Sequence, residues 1–205
     1  MTSLKSMMAA PRMVFAVIFL QAFTFTVAAA EDKPVVPMGA LAHAARALEE
    51  STSGKILEVR LSDAPGDAVF EAAVKKPEGN GILYLKIVSP TDEITAIAVS
   101  ELAPWMVNYP LEAYMRSVDK AKVPLERAIV QAEKRANAPA VAAGVAKPLS
   151  GSNTVLAWFV ETDKGKKREL LAIDAESGAR ITNPDALYER RTPVMLARRL
   201  AAAAP

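Results

Sequence analysis

Any chemistry in this 205-residue chain would fall to carboxylates, because the other usual reagents are nearly absent: it holds one histidine, His43, and no cysteine. Without thiols there is no disulfide framework, thiolate metal site or cysteine nucleophile. A serine triad needs a base and a group to orient it, and His43, mid-way along a helical pattern beside its apolar stripe, has no partner that spacing identifies. It reads as an ordinary helix-surface or boundary residue. The acidic residues fall in pairs at turns, Asp63 with Asp67, Asp92 with Glu93, and Asp174 with Glu176. Hard cations take several oxygen ligands, and a turn presents carboxylates and carbonyls together, so these six are the candidate metal ligands. None has the dense acidic spacing of a calcium loop, and each also fits turn stabilisation or solvated charge. No stretch implies a cofactor, no catalytic set can be named, and the chain reads as non-enzymatic.

The last of these pairs sits in the clearest element of the sequence, Thr154 to Ile181, which alternates residue by residue and turns sharply twice, as a β-meander does. Asp163, Lys164 and Gly165 supply the first turn. Ala175 to Gly178 supply the second, where Gly178 is free to take a positive φ and Asp174 can accept backbone N–H groups. Lys164, Lys166, Lys167 and Arg168 crowd the first hairpin, fitting either contact with an acidic partner or lipid headgroups or a charged edge that resists aggregation.

In the first half, Pro37 to Glu50 predicts a helix with Met38, Leu41, Ala42, Ala45 and Leu48 on one face. Gly54 ends it. Strands follow at Lys55–Ser62, with Leu57, Val59 and Leu61 on one side and Glu58 and Arg60 on the other, then at 68–76, 82–88 and 94–99. Residues 101–122, with Pro104, Trp105, Tyr109 and Pro110, are too apolar for a flexible linker and read as a structured connector. Trp105 and Tyr109 fit core or interdomain packing, with a ligand-stacking surface as the alternative. A second helix, Pro124 to Arg135, and strands at 140–147, 154–162, 167–174 and 179–182 repeat the first order of elements, and Val123-Pro124-Leu125 matches Val36-Pro37-Met38 at a spacing of 87 residues.

The N-terminus carries Lys5 and Arg12, the apolar run Met13 to Val27, then Ala28-Ala29-Ala30 before Glu31 and Asp32. This is the layout of a secretory signal cleaved after Ala30; a retained anchor is the competing reading, but the run is short for a span needing about 20 apolar residues. Removing it takes two of the 25 bases and none of the 23 acids, leaving formal neutrality and no support for nucleic-acid binding. Only the tail is notably basic. Its stretch Thr192 to Pro205 sets Arg198 and Arg199 among Val194, Met195, Leu196 and Leu200, a pattern compatible with disorder, docking on the second domain or contact with a membrane surface.

Residues 123–181 resemble a PepSY domain, whose pattern is a helix of the LxxAIxxAE type, strands and a closing hydrophobic-x-D-A-x-(S/T)-G-x-x-hydrophobic hairpin. The matching residues are Leu125, Ala128, Ile129, Ala132 and Glu133, then Ile173, Asp174, Ala175, Ser177, Gly178 and Ile181. The first half looks like a degenerate copy in which Val88-Ser89-Pro90-Thr91-Asp92 replaces the closing turn. The resemblance implies an α+β fold of two tandem small domains, each a helix packed on a three- to four-stranded antiparallel sheet, and no catalytic residues come with it. The expected layout is a signal peptide at 1–30, one domain at 31–100, the connector at 101–122, a second domain at 123–184 and the basic tail at 185–205. The expected function is that of an exported binding or regulatory protein in the periplasm or secreted, modulating a peptidase or meeting a protein or peptide of the cell envelope through an exposed strand edge. A periplasmic metal-binding protein using the turn carboxylates is the alternative.

Overall fold

The computed structural model describes residues 34–63, 66–78, 81–101, 115, 118–146, 155–165 and 167–188. Both sequence halves fall within one compact unit, Asp32–Pro205. The elements run α1 (Ala40–Thr52), β1 (Lys55–Leu61), β2 (Ala68–Lys75), β3 (Gly81–Ser89), β4 (Glu93–Glu101), α2 (Leu125–Ala136), β5 (Ala140–Val145), β6 (Ala157–Asp163), β7 (Arg168–Asp174) and β8 (Arg180–Ile181), with a 3₁₀ turn at Pro184–Ala186. The leader, Trp105, Tyr109, Lys166 and the tail beyond residue 188 lie outside the described residues.

The fold is α+β, as the periodicity predicts, but the two-domain layout is replaced by a single sheet. All eight strands join in the order β4-β3-β2-β1-β5-β6-β7-β8, every neighbouring pair antiparallel. The joint is β1 with β5, where Glu58 faces Gly144, Val59 faces Ala143 and Arg60 faces Ala142. Two four-stranded units could each satisfy their own hairpins, yet each would leave a central strand with bare N–H and C=O groups; pairing those strands removes both edges. Gly144 permits the approach, since a Cβ there would lie 2.8 Å from the Leu57 carbonyl oxygen and 3.2 Å from the Glu58 Cα.

Both helices pack on one face of this sheet. Leu41, Ala44, Ala45 and Leu48 of α1 and Leu125, Ala128, Ile129 and Ala132 of α2 share one core with Val59, Phe70, Val74, Ile87, Val145, Trp158, Val160, Leu171 and Ile173. Trp158 joins the core with its polar end satisfied, Nε1 donating to the Val123 carbonyl at 2.8 Å. Full burial of each large aliphatic side chain contributes about 1.5–3 kcal/mol.

The repeat is real, but its spacing is 84 residues rather than 87. Leu41-x-x-Ala44-Ala45-x-x-Leu48-Glu49 corresponds to Leu125-x-x-Ala128-Ile129-x-x-Ala132-Glu133. Ser53 and Asn137 end the two helices in the same left-handed conformation, φ 52 and 50. Glu49 Oε1 accepts the N–H of Ile56 at 3.3 Å, as Glu133 Oε1 accepts that of Ala140 at 2.9 Å. The prolines misalign because Pro124 directly precedes α2 whereas Gly39 caps α1 and Pro37 lies further back. With this spacing, Val59 and Ala143 are equivalent and also face each other, so a local two-fold axis passes between them.

Candidate functional site

Three of the six turn carboxylates, Asp92, Asp174 and Glu176, are engaged in local structure. Asp174 Oδ1 accepts the N–H groups of Glu176 and Ser177, both at 2.8 Å, and Gly178 takes φ 76. Burial opposes ionisation of Asp174, but those backbone donors outweigh it and hold the carboxyl below its ordinary range. Glu176 pairs with Lys122. In the first copy Asp92 takes the place of Gly178, with φ 56, and the Asp92 N–H donates to the Val88 carbonyl as Gly178 N–H donates to that of Asp174. Its carboxylate meets His43 Nε2 at 2.8 and 3.0 Å. His43 thus has the partner that spacing did not disclose, and the pair clips α1 to the β3–β4 turn. Asp63, Asp67 and Glu93 are exposed. Among the described residues, no group of three or more acidic or histidine side chains could hold a metal ion.

Two bases of the hairpin, Lys164 and Arg168, are likewise paired within it. Lys164 Nζ lies 2.7 Å from Glu169, whose carboxyl that bond pulls below its ordinary range, and Arg168 lies 3.3 Å from Glu161.

The face of the sheet away from the helices is the less expected feature. One row of facing residues crosses it: Tyr84, Ala73, Glu58, Gly144, Phe159, Ala172 and Ile181. Sequence alternation assigns Glu58 to a solvated side, yet it is only 5% exposed, and its Oε1 has no hydrogen-bond partner among the described residues. Burial pushes its carboxyl up to about 8, Arg60 offsetting only part of the cost. The next row holds a charged network, with Arg60 2.8 Å from Glu71 and Lys86 3.8 Å from the same carboxylate. At the far side Tyr188 packs edge-on against Phe159, ring centres 5.5 Å apart, and donates its hydroxyl to the Val155 carbonyl at 2.7 Å.

The two ends of the sheet differ. β8 has two residues, too few to template another strand, whereas β4 has nine. No described strand pairs with the outer side of β4. Its stretch Ile94 to Val99 carries no charge, and Thr95, Ala96 and Ile97 are exposed, Ile97 at 47%. Tyr84 faces Ala98 while Leu85 faces Ala96, so Ile97 is the extra residue of a bulge, a device that turns a side chain outward and breaks the ladder.

No family model matches the chain, and no curated protein sequence matches it. Among solved structures, the fold is similar to a "putative lipoprotein" from Clostridium difficile 630, at 14% identity and a TM-score of 0.44, over 67% of this chain and 86% of that one. Among the described residues no helix is long and apolar enough to cross a membrane.

Proposed function

We propose that this chain is an exported, non-enzymatic binding protein built from two PepSY-type units, and that it takes an extended segment of an envelope protein or peptide along β4. The observation that carries the reading is the nine-residue outer strand, in which the uncharged Thr95, Ala96 and Ile97 are exposed and which has no described neighbour beyond it. A strand of that kind supplies main-chain hydrogen bonds to an added strand, and the outward Ile97 supplies an apolar anchor. The paired motifs Leu41 to Glu49 and Leu125 to Glu133 support the PepSY resemblance in both copies. Export rests on the leader layout before Glu31, with cleavage after Ala30. Modulating a peptidase is the role that the resemblance implies.

The test uses a library of random nonapeptides displayed on phage, followed by NMR of the full chain with a selected peptide. Shift changes concentrated at the amides of Glu93 to Ile97 are expected, with binding weakened at least about tenfold by Ile97→Lys. Selected peptides that shift other surfaces and ignore Ile97→Lys would overturn the proposal.

A further inference from the structure

α1 runs antiparallel to β1, into which it leads through Ser53 and Gly54, and so in the same direction as β4. Its flank toward the outer strand is marked by His43, which reaches Asp92 at the β3–β4 turn. Ala47 and Glu50 follow four and seven residues later and stand on that same flank. On the sheet below, Ala96 extends the row of Val59, Ala72 and Leu85, which alternates with the row of Glu58 and therefore faces the helices. Ala47 is half-buried against the core, while Ala96 and Glu50 are exposed. Seven residues of helix advance about 10 Å, as do three of strand, so Glu50 comes level with the exposed stretch Thr95 to Ile97. Between α1 and the free edge lies a shelf with a floor of small side chains and a carboxylate on its upper rim.

The charges around this shelf are unevenly committed. Arg46 is bonded to Glu126, His43 to Asp92, and Lys86 lies by Glu71. The carboxylates of Glu50 and of the exposed Glu93 have neither a hydrogen bond nor an ion pair among the described residues. Glu93 stands two residues before Thr95, on the opposite face of the strand from Ala96. We infer that the segment taken along β4 is cationic, with a lysine or arginine side chain lying across the shelf. Its methylene stem covers Ala96 and Ala47 while its charged head meets Glu50. In an added strand alternate residues face the helices, which leaves the intervening ones to the side of Glu93. An acidic segment would set like charges together, and an apolar one would cover Glu50 without giving it a partner. The inference rests on the β4 reading and names the ligand class of that site.

The test takes three fluorescently labelled nonapeptides with valine at odd positions and lysine, glutamine or glutamate at even ones, each titrated into the full chain by anisotropy. The lysine peptide is expected to bind about fivefold tighter than the glutamine peptide, with the glutamate peptide weakest. Salt at about 1 M, where the screening length falls to about 3 Å, erases the ranking. Glu50→Gln brings the lysine peptide within about twofold of the glutamine peptide and leaves the glutamine peptide's affinity as it was, so that edge and fold are shown intact. Equal affinities for the three peptides, or a ranking that survives Glu50→Gln, would overturn this inference while leaving the β4 reading in place if Ile97→Lys still weakens all three. Binding by none of them, or binding indifferent to Ile97→Lys, would overturn both.

Discussion

Glu133 on α2 accepts the backbone N–H of Gly39, at the start of α1, through both carboxylate oxygens at 3.0 and 3.1 Å, while Oε1 also accepts the N–H of Ala140 at 2.9 Å. One buried side chain therefore starts a strand in its own copy and caps the helix of the other. The negative charge suits the N-terminal end of α1, where free N–H groups gather. Glu49, its counterpart in the first copy, makes only the strand contact among the described residues.

From that asymmetry, Glu133→Ala leaves two backbone donors unsatisfied and should cost about 3–5 kcal/mol, with Glu49→Ala costing about 1 kcal/mol. Urea unfolding midpoints measured for both variants check the ratio. Similar losses in the two would contradict it.

Glu58 predicts a pH dependence. The folded carboxyl at about 8 binds a proton in the window where the unfolded one near 4.5 does not. Stability should be fullest below pH 4.5 and fall as pH rises to 8, by up to about 4 kcal/mol. Glu58→Gln, which cannot ionise, should lack this fall. Denaturant titrations across pH 4–9 of the two proteins read the difference.

Asp174 has the opposite sign. Its carboxyl is held low in the fold by the Ser177 and Glu176 N–H groups, so its contribution is present above the ordinary carboxylate range and lost as pH falls below it. Asp174→Ala should cost about 1 kcal/mol at pH 7 and nothing measurable near pH 2.5. Gly178→Ala, placed at φ 76 with its nearest neighbour atom 3.4 Å away, should cost about 1–2 kcal/mol from backbone strain.

Gly144→Ala should be more disruptive than its size suggests. The added carbon meets the Leu57 carbonyl oxygen at 2.8 Å, backbone that cannot swing aside, so β1 and β5 must separate at the joint. A loss of about 2–3 kcal/mol is expected, with hydrogen-exchange protection falling first at Val59 and Ala143. Uniform loss throughout the sheet would count against a local cause.

The strands and both helices were legible because period-two and helical patterning act within each segment, and Asp174 and Gly178 announced their turn by chemistry alone. The joining of the halves was not legible. Ala140 to Val145 is buried at every position, so no alternation marks which side of it is covered, and nothing local says that its partner is β1. Glu58 was misplaced for the same reason: alternation assigns it to a face, and only the third dimension shows that face to be covered. The 87-residue match failed because Leu48 with Ala132 and Ala45 with Ile129 trade bulk between copies, leaving the prolines as the most conspicuous and least equivalent landmarks.

The position of the local two-fold also carries a timing cost. Until Ala143 has been synthesised, Val59 sits on a strand whose side away from β2 has nothing beside it, and at about 5–20 residues per second the intervening chain takes several seconds to make. Throughout that interval the first copy offers an open ladder to any neighbouring nascent chain, so crowded synthesis should favour exchanged pairs in which β1 of one molecule closes on β5 of another.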